Sequence, residues 1–393
     1  PAHEADYTFY HPSQVFNLTS NLVPFMNSTS AGRIGMATRH IEQAISLRDR
    51  EQPLVQVGTG VHKPGLHTFE HVMGAYAAHQ APVDGKVVSV KPDAIHILDS
   101  AGKKHEVQLY NNYPLNDAKS SLTSTPLVGV GDVVRAHQPV ADTNYSKNGA
   151  LALGTNLRVG YMAWKGINYE DGIVISQSAA DKLTSEHMSK PELKLQDTHV
   201  LDKKRFLTQL PFAFKQKQLD KLDDKGVIKV GQSVAPGDPL IATMKPFELK
   251  DRQGLGSFQK SKVGTHNDSS LRWDSGFEGT VTAVHHGPDG IQVHVKTLEP
   301  MQVADKMSSR NANKGVVAAI LPDHEMPRDK DGKPLQVLLN FTGVGGRINL
   351  SQMYEVAASK IAKKTGKPYV IENFSPGVDN LKKLQSELKT HGL

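Results

Sequence analysis

One local pattern occurs twice, and it narrows the possible folds of this chain more than any other feature. Val130-Gly131-Asp132-Val133-Val134 runs on to Pro139-Val140-Ala141-Asp142-Thr143, and Val230-Gly231-Gln232-Ser233-Val234 runs on to Pro239-Leu240-Ile241-Ala242-Thr243. Each copy reads as a strand, a glycine turn, a second short strand and a proline-led third, because glycine permits the tight turn. Two copies are too few for a solenoid. The unit is read as a small β-hammerhead element with structural meaning only. The same punctuation runs through the chain, with 33 Gly and 22 Pro among 393 residues. Between these breaks lie short apolar or alternating runs at residues 85–90, 94–98, 279–284, 291–295, 315–321 and 335–339, each of strand length. A turn at Lys91-Pro92-Asp93 joins the first two. Helical spacing is confined to a few places. Ile34, Ile41 and Ile45 recur after a Ser28 or Ser30 cap, residues 176–188 follow Ser176 or Ser178, residues 351–365 end at Gly366, and a short amphipathic helix begins within 376–390. The expected class is mainly β with α, an α+β protein. Residues 190–225 carry a weaker pattern, and the polar stretch 245–272 reads as a mobile loop.

Composition excludes several classes. A chain of 42.9 kDa is long enough for two to four domains. With no cysteine it has no disulfide framework, thiolate nucleophile or cysteine zinc site. No run approaches the ~20 apolar residues that span a bilayer, and no secretory signal opens the sequence, so a cytoplasmic protein without a membrane partner is expected. The 46 Lys and Arg exceed the 40 Asp and Glu, a net charge of +6. That balance fits either a polyanion partner or a mildly basic solvated surface, and placement of the charges must decide.

Three segments concentrate chemistry. Asp305-Lys306-Met307-Ser308-Ser309-Arg310-Asn311-Ala312-Asn313-Lys314-Gly315 puts three cations and two asparagines between two strands. A phosphate-bearing ligand needs such groups on a loop held by a rigid sheet. Glu170-Asp171 sets adjacent carboxylates before an apolar strand, and Mg²⁺ is often held to substrate phosphates by one or two such groups. Phe341-Thr342-Gly343-Val344-Gly345-Gly346-Arg347 presents an arginine after glycines that allow close backbone approach, without the βαβ context of a dinucleotide fingerprint. For each, a solvated turn is the plain alternative. His67 and His71 are four residues apart but lack the His-Glu-x-x-His order and a third ligand. His285-His286 reads as a turn.

Asp305-Lys306-Met307-x-x-Arg310-x-x-Asn313-Lys314-Gly315-Val316-Val317 resembles the β-subunit signature of multisubunit RNA polymerase. Further segments resemble that family in the same order: Asn21-Leu22-Val23-Pro24-Phe25 through Arg33 and Gln43; Leu151 through Trp164 and Asn168-Tyr169-Glu170-Asp171; Asp268 through Arg272; and Met326-Pro327 through Asn340, Arg347-Ile348-Asn349 and Gln352. The resemblance covers roughly residues 12 to 360. It implies a double-psi β-barrel core with an inserted flap module beside the small hammerhead elements. The expected layout is an entry segment at 1–60, a first barrel part at 61–177, a flap-like insertion at 178–300 with residues 247–267 replacing the usual tip, a second barrel part at 301–350, and a helical tail at 351–393.

The resemblance also implies roles. Lys306 and Lys314 match lysines near the RNA 3′ end and the incoming nucleotide, and Arg347 and Arg33 match arginines reaching the triphosphate. Gln43, Arg310, Asn313, Asn349 and Gln352 fall in substrate- and nucleic-acid-binding positions. Glu170 and Asp171 match a pair near a second Mg²⁺ and act on it through water, while the primary ion sits on a partner chain. The implied partners are β′-like and N-terminal β-like subunits, template DNA, RNA and nucleoside triphosphates, with a sigma-like initiation factor at the flap. Arg39 stands where the family usually has Asn, Ser308-Ser309 replaces Ala-Gly, and the large N-terminal lobes have no counterpart. Such a chain reads as one piece of a split, phage-encoded β subunit, or as a fragment of a divergent cellular one. A non-catalytic scaffold, or an inhibitor mimicking β, is the alternative from another class.

Overall fold

Closely spaced glycine and proline turns give many short strands, the longest being Gly290–Glu299. The computed structural model describes residues 6–9, 11–63, 65–115, 119–246 and 266–393. The chain forms two compact units. One comprises the chain through Asn111 together with Leu122–Ser185 and Pro300–Leu393; the other comprises Asn112–Ser121 and Glu186–Glu299. The segment expected as an insertion, 178–300, thus corresponds to a unit beginning at 186 and joined by residues 112–121. The segments expected as entry, second barrel part and tail fall in the first unit, and so does the first barrel part at 61–177 apart from residues 112–121. The replacement for the flap tip at 247–267 lies almost wholly outside the described residues.

In the first unit a five-stranded sheet runs in the order Val159–Tyr161, Val337–Leu339, Gly172–Ser176, Lys314–Leu321 and Lys306–Ser308. Gly172–Ser176 is parallel to Lys314–Leu321 and antiparallel to Val337–Leu339, which is itself parallel to Val159–Tyr161. Strands buried on both faces read as continuous apolar runs. Accordingly Ile173, Ile175, Val317 and Val337 pack on one face, and Val174, Leu338 and Met326 on the other. Beside it the helices Ala31–Glu42, Phe69–Ala77 and Ser351–Thr365 gather with the parallel pair Val55–Val57 and Tyr369–Ile371. Leu22, Phe25, Val55, Ala358, Ile361 and Ile371 form that core.

The expected helix at 351–365 is Ser351–Thr365, closed by Gly366 at φ +70°. The tail helix is Asn380–Thr390, capped by the Asp379 carboxylate, which accepts from the amides of Leu381 and Lys382. The helix expected over 176–188 is shorter. It spans Gln177–Lys182, and Ser185–Ser189 is a strand at the edge of the second unit's sheet, beside Gly290–Glu299. Met188 is fully buried there, so sheet pairing overrides local helical spacing.

The twice-occurring pattern proves to be half of a larger motif. Gly131 donates to the Val87 carbonyl at 2.8 Å and Val87 donates back to Asp132; Gly231 donates to Val281 at 2.8 Å and Val281 back to Gln232. Val133–Val134 pairs with Gly85-Lys86, and Ser233–Val234 with Gly279-Thr280. Pro139 and Pro239 each begin a strand, paired with Gln80 and Arg272 respectively. Both partner hairpins carry a bulge just past the shared valine. In the first unit the hairpin precedes the glycine-turn strand, and in the second it follows it. The two copies are circular permutations of each other.

Candidate functional site

Lys306 and Lys314 lie on one antiparallel hairpin, where Lys306 pairs with Val316 and Ser308 with Lys314. Alternation therefore puts Lys306, Ser308, Lys314 and Val316 on the same face, and all four are exposed. The two lysines are diagonal neighbours, about 7–8 Å apart at the backbone. On the opposite face, Gly315 allows the neighbouring strand to approach. A Cβ there would lie 2.3 Å from the Asp171 carbonyl oxygen, which accepts from the Val316 amide at 3.0 Å. That close approach brings the acidic pair to Lys314. Glu170, Asp171, Asn313, Lys314 and Asn340 line one small crevice.

Arg347 closes this cluster. Its guanidinium binds Asp171 with two parallel hydrogen bonds, Nη1 to Oδ1 and Nη2 to Oδ2 at 2.8 Å. The bidentate bond holds the Asp171 carboxyl below the usual range and Arg347 above its own. Arg33, on the helix Ala31–Glu42, donates to the Ala312 carbonyl at 3.1 Å. Partial burial and then the Arg347 charge lower its pKa. His40 lies two turns further on the same helix, and its Nδ1 is 2.9 Å from Ser308 Oγ. Burial, then Lys314 and Arg33, lower its pKa. Cations thus outnumber anions here, and neighbouring cations act with burial to lower Arg33 and His40. Glu170 adopts a left-handed backbone, φ +50°, uncommon outside glycine and typical of constrained functional loops.

The loop 308–313 between the lysines is tied down from behind. Arg310 was expected to contact nucleic acid, but its guanidinium is buried between two carboxylates. It reaches Glu70 at 2.9 Å and Glu355 at 2.7 Å, and it also donates to the Leu22 and Val55 carbonyls. Its donors are spent within the fold, so it anchors the loop rather than facing a ligand. Glu70 is fully buried and accepts from the Val57 amide; burial pushes its carboxyl up to about 7. Asn349 is likewise buried, donating to the Asn311 carbonyl at 2.8 Å. Gln352 is buried and lines a cavity behind the loop. Asn313 stands at the mouth of the crevice, and Gln43 is exposed at the end of its helix, one turn beyond His40.

The structure therefore brings Lys314, Arg347, Arg33, Asn313 and the Glu170-Asp171 pair together, with Lys306 on the same hairpin face. It sends Arg310, Asn349 and Gln352 inward. Glu70, Glu355 and His40 were not singled out from sequence. A signal existed for Glu355, which falls on the buried stripe 351, 355, 358 and 362 of its helix, where an acid needs a partner.

The donor set does not fit a directly held metal ion. Both Asp171 oxygens are taken by Arg347, and among the described residues no three His, Asp or Glu side chains converge.

Fold and site together define a mixed α/β protein with a cation-rich centre at one edge of a five-stranded sheet. The family described as RNA polymerase Rpb2, domain 6, matches residues 80–393, and the chain belongs to that family. It is 33% identical to a DNA-directed RNA polymerase subunit beta of Treponema denticola, over 99% of this chain and 34% of that protein. Proteins of the same name from Synechococcus elongatus and Fervidobacterium nodosum are 33% and 31% identical, over 89% and 94% of this chain. The chain spans about a third of the length of these relatives.

Proposed function

We propose that this chain is the catalytic-core part of a β-type subunit of a DNA-directed RNA polymerase. It supplies the half of the active centre that binds the nucleoside triphosphate and the RNA 3′ end. The observation that carries this reading is the cluster of cations around the Glu170-Asp171 crevice in a member of the Rpb2 family: Lys314 lines it, Arg347 binds Asp171, Arg33 lies within reach of both charges, and Lys306 is on the same hairpin face as Lys314. Phosphoryl transfer spreads negative charge over phosphate oxygens, and preorganised cations stabilise it without covalent chemistry. Arg33, whose pKa is lowered by burial and then by Arg347, gains from an incoming anion. Opening of the Asp171–Arg347 pair frees a bidentate donor for that anion.

In this reading the five-stranded sheet, with its parallel and antiparallel neighbours, belongs to a double-psi barrel, and the second unit is the flap. Catalytic Mg²⁺ is held by a β′-like partner, with Glu170 reaching toward a second ion through water. The remaining β-type portion comes from elsewhere in a longer or split subunit of phage or cellular origin. Template DNA, RNA and a sigma-like factor complete the assembly, which acts in the cytoplasm. No helix among the described residues is long and apolar enough to cross a membrane.

The test is reconstitution with a β′-like chain and the missing β-type portion, followed by primed RNA extension. Lys314→Ala is expected to assemble normally and to lose extension by at least tenfold. Near wild-type extension by that variant would remove Lys314 from the site. Assembly with no extension by the unaltered chain would favour the scaffold or inhibitor alternative.

A further inference from the structure

Behind the loop 308–313, within the first unit, lies a cavity of about 370 Å³. Its volume falls at the small end of the roughly 300–1,000 Å³ typical of ligand pockets. The walls are mostly apolar: Ile41, Leu54, Leu151, Val159, Ile173 and Met307. The loop itself forms one side through Ser309 and Asn311, with Ser308 and Asn313 lining both this cavity and the lysine side. The cavity is open on one side, so it is a cleft that a ligand can enter rather than a sealed void.

Two further facts define what fits. First, among the described residues the cavity offers no free guanidinium or ammonium. Arg310 is held between two carboxylates, Glu70 and Glu355, and Glu51 pairs with Lys182. No spare cation attracts an anion, so a phosphate or nucleotide is disfavoured. Second, two buried polar atoms on the lining have no hydrogen-bond partner among the described residues, Gln352 Nε2 and Thr155 Oγ1. Gln352 is only 3% exposed. Leaving a buried amide donor unpaired costs about 1–3 kcal/mol, so an occupant with an acceptor at that point is selected.

We propose that this cavity is a binding site for an uncharged, mainly apolar small molecule that carries one carbonyl-type acceptor for Gln352, and that its occupancy stiffens the loop between Lys306 and Lys314. The binding claim stands independently of the polymerase reading. Only the consequence for phosphate handling rests on it.

The probe is 4-fluoroacetanilide, titrated onto the full chain and followed by fluorine NMR. 1-Fluoro-4-propylbenzene serves as the counterpart without an acceptor. Both are expected to bind saturably, the anilide more tightly. Gln352→Leu should weaken the anilide at least fivefold and leave the hydrocarbon within twofold. Ser359→Phe, which fills the cavity from its helix wall, should abolish binding of both; Leu151→Trp is a second filler from another wall. At saturation, amide hydrogen exchange across residues 308–313 should slow several-fold. Absence of saturable shifts, binding unchanged in both filled variants, or an equal effect of Gln352→Leu on the two probes would overturn the site. Saturable binding with unchanged loop exchange would overturn the coupling.

Discussion

Replacing Arg310 by methionine removes the one cation held between Glu70 and Glu355. Glu70 is fully buried and its partner guanidinium is 16% exposed, so the pair is shielded from water. Removing one member of such a pair typically costs about 3–5 kcal/mol, a large part of the roughly 5–15 kcal/mol that stabilises a domain. The carboxyl can escape part of this cost by staying protonated, which makes the loss depend on pH. Glu70 already holds its proton up to about pH 7, against about 4.5 when unfolded. A folded state that binds more protons than the unfolded state loses stability as pH rises between those two values. Without Arg310 the upper limit moves higher. The variant's deficit should therefore be nearly constant below pH 7 and grow by about 1.4 kcal/mol for each further pH unit. Urea unfolding from pH 6 to 8.5 measures this. The chain has two tryptophans, so a Trp273→Phe background leaves Trp164, in the first unit, as the reporter. Adding Glu70→Gln to Arg310→Met should flatten the pH dependence. A deficit under about 1 kcal/mol, or one unchanged between pH 7 and 8.5, would refute the buried clamp.

Three further outcomes follow. Gly315→Val should lower the melting temperature by several degrees in scanning fluorimetry, because its Cβ collides with the Asp171 carbonyl. Burial, then His67, pushes His71 down to about 4. The folded state then binds fewer protons between pH 6.5 and 4, so stability falls as pH drops through that window, by at most about 1.4 kcal/mol per unit. His71→Gln should flatten this acid limb in urea titrations, and an unchanged limb would place the slope on other groups. Asp171→Ala should release Arg347 and raise the affinity of the full chain for inorganic triphosphate, measured by phosphorus NMR; weaker binding would show that the pair itself holds the anion site.

Legibility in the sequence followed how local the determining physics is. The lysine hairpin was readable because two strands and a polar loop occupy sixteen consecutive residues, Lys306 to Leu321. The helix 351–365 was readable because its spacing and glycine stop are local. The strand at 185–189 was not, because its partner lies a hundred residues away in Gly290–Glu299. Arg310 shows the same limit more sharply. Its place in a cationic cluster pointed outward, yet its partners Glu70 and Glu355 come from distant helices that no spacing rule links to it. The larger hammerhead motif did leave a trace. Gly85-Lys86-Val87-Val88-Ser89-Val90 and Gly279-Thr280-Val281-Thr282-Ala283-Val284 share Gly-x-Val at their bulged start, but they sit on opposite sides of the recognised repeat.

That reversal of order bears on how the chain tolerates cutting and joining. The hydrogen bonds that make each motif run between strands and are indifferent to which strand is synthesised first. Covalent linkage between hairpin and glycine-turn strand contributes only loop closure, whose cost rises slowly with length. Each motif is thus a joint held by its faces rather than by its thread. New termini or long additions belong where the thread merely returns, and Lys91–Asp93 and Pro288–Asp289, at the tips of the two hairpins, are the places to open it.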